Sequence, residues 1–190
     1  MKQEKDSLNN TIGLIYMQGT LNDDDLFQLT NELKCHQLTL LCEENPSRYF
    51  MGIEEFFPQI RAILSSNIVQ SICQNLASSA IFEGIKAFSI MLRRSAIKKK
   101  IARVQPNKTE ANVSPTIQLC IGGVKITIPA NIDDEKLKHC LDKAFEYIND
   151  QSIVQETYLV YSERTGKFEC YTRRELMHKM HEEHKSENKQ

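Results

Sequence analysis

The stretch from Asn67 to Val104 constrains the fold more than any other part of this chain, because its apolar residues recur in adjacent pairs at helical spacing. The pairs are Ile68 and Val69, Ile72 and Cys73, Leu76 and Ala77, Ala80 and Ile81, Gly84 and Ile85, Ala87 and Phe88, and Met91 and Leu92. Asn67 is able to cap the first free amides, and Gln70 is placed to complete a capping box. The pattern ends before Pro106. We therefore predict one long helix over residues 67–104 with a wide buried stripe.

A helix of this length would extend for about 55 Å, at about 1.5 Å per residue. A compact domain of this size does not readily cover that distance, so the helix either bends near Gly84 or projects. A projecting amphipathic end needs a partner, such as a second copy of the chain, and the small residues of the stripe would let another backbone approach closely. Alternatively, the same face packs against the chain's own sheet. The residues predicted to bind a protein partner or a second copy are Ala80, Gly84, Ile85, Phe88, Met91 and Leu92.

A block of six cations occupies the end of the predicted helix. It consists of Arg93, Arg94, Lys98, Lys99, Lys100 and Arg103. Cations near a helix C-terminus are stabilised by the macrodipole, and they keep a projecting helix in solution. The same block would also suit an acidic protein, nucleic-acid phosphates or peripheral contact with an anionic membrane surface. The net charge is only −1, which argues against a protein devoted to nucleic-acid binding, so nucleic-acid or anionic-ligand binding is kept as an alternative function.

The N-terminal part of the chain predicts a β-α-β unit. Residues 1–10 are polar and are expected to form a disordered lead. The segment from Thr11 to Thr20 contains an apolar run typical of a buried strand, and Asn22 with the acidic residues after it predicts a helix start. Residues 37–42 are predicted to form a second strand, and residues 58–64 a short helix.

The clearest β pattern in the chain follows a polar linker at residues 105–115. Residues 117–121 and 124–128 alternate apolar and polar side chains, and Gly122 with Gly123 offers the positive φ angles of a tight turn. This pattern predicts a β-hairpin with one apolar face.

The remaining elements complete an α+β fold with an antiparallel or mixed sheet. Residues 135–148 have helical apolar spacing, and residues 157–171 and 172–184 predict a second hairpin and a closing helix. The helices are expected to pack on one face of the sheet. We predict a core domain over residues 11–150 and a C-terminal hairpin–helix extension over residues 151–190 that ends in a polar tail.

Catalytic and metal-binding motifs are not evident in the sequence. Gly122 and Gly123 lie inside a predicted hairpin rather than in a phosphate-binding loop before a helix. The six cysteines are scattered without a Cys-x-x-Cys pair and are interpreted as small buried residues. His178, His181 and His184 are better explained as a solvated helix end than as a metal site. We therefore expect a protein that is not an enzyme and has no cofactor, and we keep a hydrolase whose site the sequence does not reveal as a second alternative.

The expected location is the cytoplasm. The residues after Met1 are strongly polar and do not resemble a signal segment. A membrane span over residues 60–92 is not expected, because Asn67, Gln70 and Glu83 are among the polar residues that interrupt it.

The pattern between Gly13 and Phe145 resembles the effector-associated constant component domains of bacterial conflict systems. The resemblance rests on the β-α-β start, on the helix that closes on Lys86-Ala87-Phe88-Ser89-Ile90-Met91-Leu92-Arg93-Arg94, on the hairpin over residues 117–128 and on the helix after Asp133. It implies a non-catalytic module that couples sensors to effectors in antiviral defence. The predicted function is therefore an interaction or adaptor module that self-associates or binds a partner protein through the long helix.

Overall fold

The computed structural model describes residues 10–46, 58–73, 79–105, 108–128, 132–150, 156–162, 165 and 167–187. Its helices are α1 (Asp23–Cys35), α2 (Ser66–Cys73), α3 (Ser79–Lys98), α4 (Asp134–Asp150) and α5 (Arg173–Glu187). Its strands are β1 (Thr11–Met17), β2 (Thr39–Asn45), β3 (Ile60–Leu64), β4 (Ile101–Gln105), β5 (Lys108–Val113), β6 (Ile117–Ile121), β7 (Val124–Ile128), β8 (Thr157–Ser162) and β9 (Lys167–Thr172). The predicted lead at residues 1–10 and the last residues of the polar tail lie almost entirely outside the described residues.

Seven of the strands form one mixed sheet in the order β2-β1-β3-β6-β7-β8-β9. Parallel and antiparallel neighbours alternate across it: β2 with β1, β3 with β6 and β7 with β8 are parallel, and the other adjacent pairs are antiparallel. The α+β fold, the hairpin β6–β7 and the C-terminal hairpin and helix are therefore confirmed. Gly122 has the expected positive φ of 59°, whereas Gly123 is not in the left-handed region.

Helix α1 begins where the sequence predicts, because Asn22 forms a capping box. The Asn22 side-chain oxygen accepts a hydrogen bond of 2.8 Å from the Asp25 amide, and the Asn22 amide donates to the Asp25 carboxylate at 3.1 Å. These two contacts satisfy amides that the first helical turn leaves free. Leu29 and Leu33 then point into the core.

The prediction of a short helix at residues 58–64 was wrong, because Ile60–Leu64 is strand β3 at the centre of the sheet. Ile60, Ala62 and Leu64 are buried, while Arg61 and Ile63 between them point to the opposite face. That period of two is the strand period, and pairing with β1 on one side and β6 on the other satisfies the backbone groups of β3.

The predicted end of the long helix was also wrong. The structure has helix α2, then residues 74–78 outside the described part, then α3, which ends at Lys98. Residues 101–105 are strand β4 instead, and the predicted linker contains strand β5, which pairs with β4 in antiparallel orientation. β-Branched Ile101 and Val104 favour the extended backbone over a further helical turn. Cations near the end of a helix suit either outcome, so they gave no information about where the helix stops.

The two faces of the sheet differ in chemistry. The face that we call the core face packs against α1 to α4 in one apolar cluster and includes Ile12, Leu14, Ala62, Leu119, Ile126 and Leu159. We call the opposite side the outer face. One row of neighbouring residues crosses it from β2 to β9 and consists of Leu41, Gly13, Ile63, Cys120, Lys125, Tyr158 and Tyr171.

Helix α5 is held against β9 by a charged cluster on the outer face. Lys179 Nζ donates to the Glu169 carboxylate at 2.7 Å and to the Tyr171 hydroxyl at 2.6 Å, and the Tyr171 hydroxyl donates to Glu169. The hydrogen bond from Lys179, followed by that from Tyr171, lowers the pKa of Glu169 from 4.5 to about 2.

This cluster predicts that the attachment of α5 is sensitive to acid. A carboxylate with a lowered pKa contributes stability that is present above about pH 4.5 and is lost as the pH falls towards 2. We expect the protection of the amides in residues 173–187 against hydrogen exchange, taken relative to the intrinsic exchange rate at each pH, to fall over that interval in the wild-type chain. In Glu169→Gln the exchange should already be faster at neutral pH and should lose this acid dependence. An unchanged acid profile in the variant would rule out Glu169 as the cause.

Candidate functional site

The apolar stripe predicted to bind a partner is largely occupied by the chain itself. Ile85, Phe88 and Leu92 are fully or almost fully buried in the core, and Met91 is half-buried against it. Ala80 alone of the six predicted residues is exposed. Fully burying a large apolar side chain contributes about 1.5–3 kcal/mol, so these residues stabilise this fold where they are. The placement favours the alternative that the sequence left open, in which the stripe packs against the chain's own elements.

Gly84 is the remaining residue of the stripe, and it is a point of close approach between α3 and the residues that follow α1. A Cβ atom built on Gly84 would lie 2.6 Å from His36 Cβ, 2.8 Å from His36 Cγ and 3.0 Å from Leu38 Cδ1. Contacts below about 3 Å are not compatible with unstrained carbon packing. The side chains that approach Gly84 therefore belong to this chain.

Two of the six cations are built into the start of α4. The Arg93 side chain is buried and donates to the Ile132 carbonyl oxygen and to the Asp134 carboxylate. Arg94 donates to the same carboxylate, with its Nε at 3.0 Å. The hydrogen bond from Arg94, opposed by partial burial and reinforced by Arg93, lowers the pKa of Asp134. These arginines connect α3 to α4 and leave Asp134 ionised.

The remaining cations lie where α3 ends and strand β4 begins. Lys99 Nζ is 3.5 Å from the Asp25 carboxylate, and Lys100 Nζ donates to Ser114 Oγ at 3.0 Å. Lys98 and Lys100 are exposed. Arg103 lies in β4, and its side chain is outside the described part of the structure. Part of the basic block therefore reaches solvent at the base of the β4–β5 pair.

Strands β4 and β5 form a two-stranded ribbon that is separate from the main sheet. Their register runs from Gln105 opposite Lys108 to Ile101 opposite Val113, with an irregularity between Ile101 and Arg103. Among the described strands, none of the seven-stranded sheet pairs with this ribbon. An isolated two-stranded ribbon is marginally stable in water, because it has no hydrophobic face to bury. The long edges of this ribbon are therefore a surface on which a partner would add stability.

The histidines and cysteines give no metal or nucleophile cluster in the described part of the chain. His178 and His181 are exposed, the His184 side chain lies outside it, and no group of three potential metal ligands is found among the residues described. Cysteine burial differs in part from the sequence interpretation. Cys120 and Cys140 are buried, whereas Cys35, Cys42 and Cys170 are exposed.

A polar cluster on the outer face was missed by the sequence interpretation. It brings together Arg61 of β3, Gln118 and Cys120 of β6, Lys125 of β7 and Tyr158 of β8, which the strand registers place side by side. Arg61 is opposite Gln118, and Cys120 is opposite Lys125. Polar residues in the alternate positions of β6 and β7 were visible in the sequence, but Arg61 was assigned to a helix.

Within this cluster the positive charge of Lys125 is compensated by a neighbouring carboxylate. Lys125 Nζ forms an ion pair with Glu156. It also donates to the Tyr158 hydroxyl at 3.2 Å and lies 5.0 Å from the centre of the Tyr158 ring. Burial raises the pKa of the Cys120 thiol, while the positive charges of Arg61 and Lys125 lower it by a smaller amount. Arg61 is thus close enough to act electrostatically on Cys120.

None of the helices in the described segments is long and apolar enough to cross a membrane. A scan of protein-family models finds no match to the chain, and comparisons with curated proteins and with solved structures find none either.

Proposed function

We propose that this chain is a non-enzymatic interaction module that self-associates through the β4–β5 ribbon. The observation that carries the proposal is the separation of the ribbon from the seven-stranded sheet. In keeping with the resemblance described above, the module acts in the cytoplasm and couples proteins in antiviral defence.

The ribbon replaces the apolar stripe of α3 as the proposed docking element. Each strand of a two-stranded ribbon has one edge of backbone donors and acceptors that its partner strand does not use. Pairing such an edge with a strand of a second copy satisfies these groups and extends the two strands into a larger sheet. β-Branched Ile101, Val104 and Val113 suit a paired strand.

A ribbonless variant tests this proposal directly. Residues 102–112 would be replaced by a short Gly-Ser connection between Ile101 and Val113, which are neighbours across the ribbon. We expect the affinity of self-association to fall by at least about tenfold, equivalent to about 1.4 kcal/mol. The melting temperature should change little, because the ribbon is not part of the main sheet. Light scattering across a concentration series measures the association.

The matched control removes charge and keeps the ribbon. The double variant Lys98→Gln with Lys100→Gln should self-associate like the wild type, and high salt should weaken neither, because backbone pairing and apolar contacts are not screened. A wild-type chain that is monomeric at every concentration, or a ribbonless variant that keeps its mass, would refute the proposal.

The nucleic-acid alternative is supported by the exposure of Lys98 and Lys100 beside the ribbon. It predicts the opposite salt behaviour, because each neutralised phosphate releases counterions and log affinity falls linearly with log salt. Binding of the wild-type chain to mixed-sequence DNA would then weaken steeply between low and physiological salt. The Lys98→Gln, Lys100→Gln variant would show a smaller slope.

A further inference from the structure

Within the described residues, Arg61 is a cation on the outer face that forms no hydrogen bond through its buried Nε atom. It lies on β3, between β1 and β6, where its neighbours are Ile15 and Gln118. Its Nε atom is buried and makes no hydrogen bond, and no carboxylate in the described part of the chain pairs with its guanidinium group. A buried donor that lost its water without gaining a partner lowers stability, and more so when it carries charge.

Gln118 adds a second donor in the same place. It is directly opposite Arg61 on β6, and its side chain is 6% exposed. Its carboxamide oxygen accepts a weak hydrogen bond of 3.8 Å from the Cys120 thiol. Its amide nitrogen donates to no group within the described residues. The buried Nε of Arg61 and the Gln118 amide, which is not among the buried atoms that lack a partner, therefore lie side by side on the outer face.

The charge of Arg61 is not balanced by an ion pair within the described residues, and the carboxylate in the same row, Glu43, lies two strands away. Lys125, the nearest other cation of the cluster, is paired with Glu156, so its charge is compensated. Arg61 has no such partner among the described residues, and its field extends at least to Cys120. A packed sheet face would be more stable with an aliphatic residue in place of Arg61, because the arginine leaves its buried Nε donor unpaired. The arrangement is favourable when an anion occupies the site.

We propose that Arg61 and Gln118 form a binding site for an oxyanion, a phosphate or a carboxylate, on the outer face of the sheet. The guanidinium group would donate from its two terminal nitrogens to two oxygens, a bidentate geometry that arginine forms with such groups. The Gln118 amide would donate to one of the same oxygens. This site is separate from the ribbon and from the basic block, and it stands whether or not the ribbon mediates self-association.

Inorganic phosphate and acetate are the probes that test the site and distinguish the two sources of oxyanion. The full-length chain would be melted in millimolar phosphate, in millimolar acetate and in chloride of matched ionic strength. We expect one or both oxyanions to raise the melting temperature in a saturable way that chloride does not reproduce, since a ligand that binds only the folded state stabilises it. The stronger probe identifies the preferred chemistry.

Arg61→Gln should abolish this stabilisation, and Lys98→Gln, an exposed cation outside the site, should retain it. In the absence of oxyanion, Arg61→Gln should melt at the same or a higher temperature than the wild type, because it removes an uncompensated cation. A purely structural role of Arg61 predicts the reverse. If Arg61→Gln does not fold, Gln118→Met keeps the size of the side chain, lacks the amide and should weaken the oxyanion effect severalfold.

Cysteine alkylation gives an independent readout with internal controls. Bound oxyanion neutralises the field of Arg61, so the Cys120 thiol should ionise less readily and react more slowly with iodoacetamide. Cys35, Cys42 and Cys170 are exposed and should react at unchanged rates, which peptide mass spectrometry resolves. Equal oxyanion stabilisation of the wild type and Arg61→Gln, or no effect of either probe on melting and on Cys120, would overturn the proposal.

Discussion

Replacing Gly84 by leucine is expected to destabilise the chain by about 3 kcal/mol without changing its oligomeric state. Even a Cβ atom on Gly84 would meet His36 Cβ at 2.6 Å, and His36 Cβ is fixed by the backbone at the end of α1. Helices α1 and α3 must therefore move apart. For a chain of this size the loss corresponds to a melting temperature lower by roughly 6–12 °C.

The variant Gly84→Ala separates the cost of the clash between a Cβ atom and His36 from the cost of inserting a large side chain. Alanine is favoured over glycine in a helix by about 1 kcal/mol, so a net loss of stability isolates the clash with His36. Removing that side chain in the double variant His36→Gly with Gly84→Ala should recover much of the loss, which a double-mutant cycle measures. Ala80→Leu, one turn earlier and exposed, is the matched control and should be nearly neutral.

The property that Gly84→Leu impairs, stability or self-association, also decides whether the apolar stripe of α3 lies in the core or at an oligomer interface. Lower melting of a monomer places Gly84 in the core, as its contacts with His36 and Leu38 indicate. Loss of self-association at an unchanged melting temperature would instead place the stripe at an oligomer interface. That result would contradict both the packing of α3 against α1 and the proposal that the ribbon is the docking element.

Local signals explain which parts of the fold could be predicted from sequence. The capping box of Asn22 and Asp25 and the alternation around Gly122 are set by neighbouring residues, and both α1 and the β6–β7 hairpin appear where expected. Strand β3 has only five residues, and its partners are distant in sequence. Ile60 is opposite Ile117, and Leu64 is opposite Ile12. The conformation of β3 is therefore decided by pairing with distant strands, and a short stretch of sequence around β3 carries no information about that pairing.

The same distinction applies to the candidate sites. The cations of the basic block could be recognised in the sequence, but their division into buried connectors and exposed residues depends on where α4 begins. The pairing of Arg61 with Gln118 joins residues 57 positions apart and depends on the β3–β6 register. A shift of that register by one residue would place Arg61 on the core face. The oxyanion site consequently becomes visible only when the sheet is assembled.

Asp134 is the second position at which a single change should have a large effect. Its carboxylate accepts hydrogen bonds from both Arg93 and Arg94, and Arg93 is only 9% exposed. Asp134→Asn keeps the size of the side chain and removes its charge, so the buried Arg93 guanidinium loses its ion pair with this carboxylate. Hydrogen bonds to charged groups contribute about 1.5–3 kcal/mol, and removing one partner of a buried pair leaves the other uncompensated. Because Asp134 itself is partly exposed, we expect a loss of about 2 kcal/mol, near the lower part of that range.

Asp133→Asn is the matched control for this prediction. Asp133 is exposed, forms an ion pair with Lys136 and accepts a hydrogen bond of 2.8 Å from the Lys136 amide, a contact that asparagine can also make. Its replacement should therefore leave the stability nearly unchanged. Urea unfolding at neutral pH compares the two variants with the wild type.

The pH dependence of stability provides a further check on Asp134. The hydrogen bond from Arg94, together with Arg93, holds its pKa below the ordinary value of 3.8, so its contribution is complete above that pH and disappears as the pH falls through the lowered pKa. The stability difference between the wild type and Asp134→Asn should consequently be largest at neutral pH and shrink in acid, as the wild-type carboxyl becomes protonated. A difference that persists unchanged in strong acid would mean that the charge of Asp134 is not what holds Arg93, and that the other contacts between α3 and α4, such as the ion pair of Lys86 with Asp142, join the two helices.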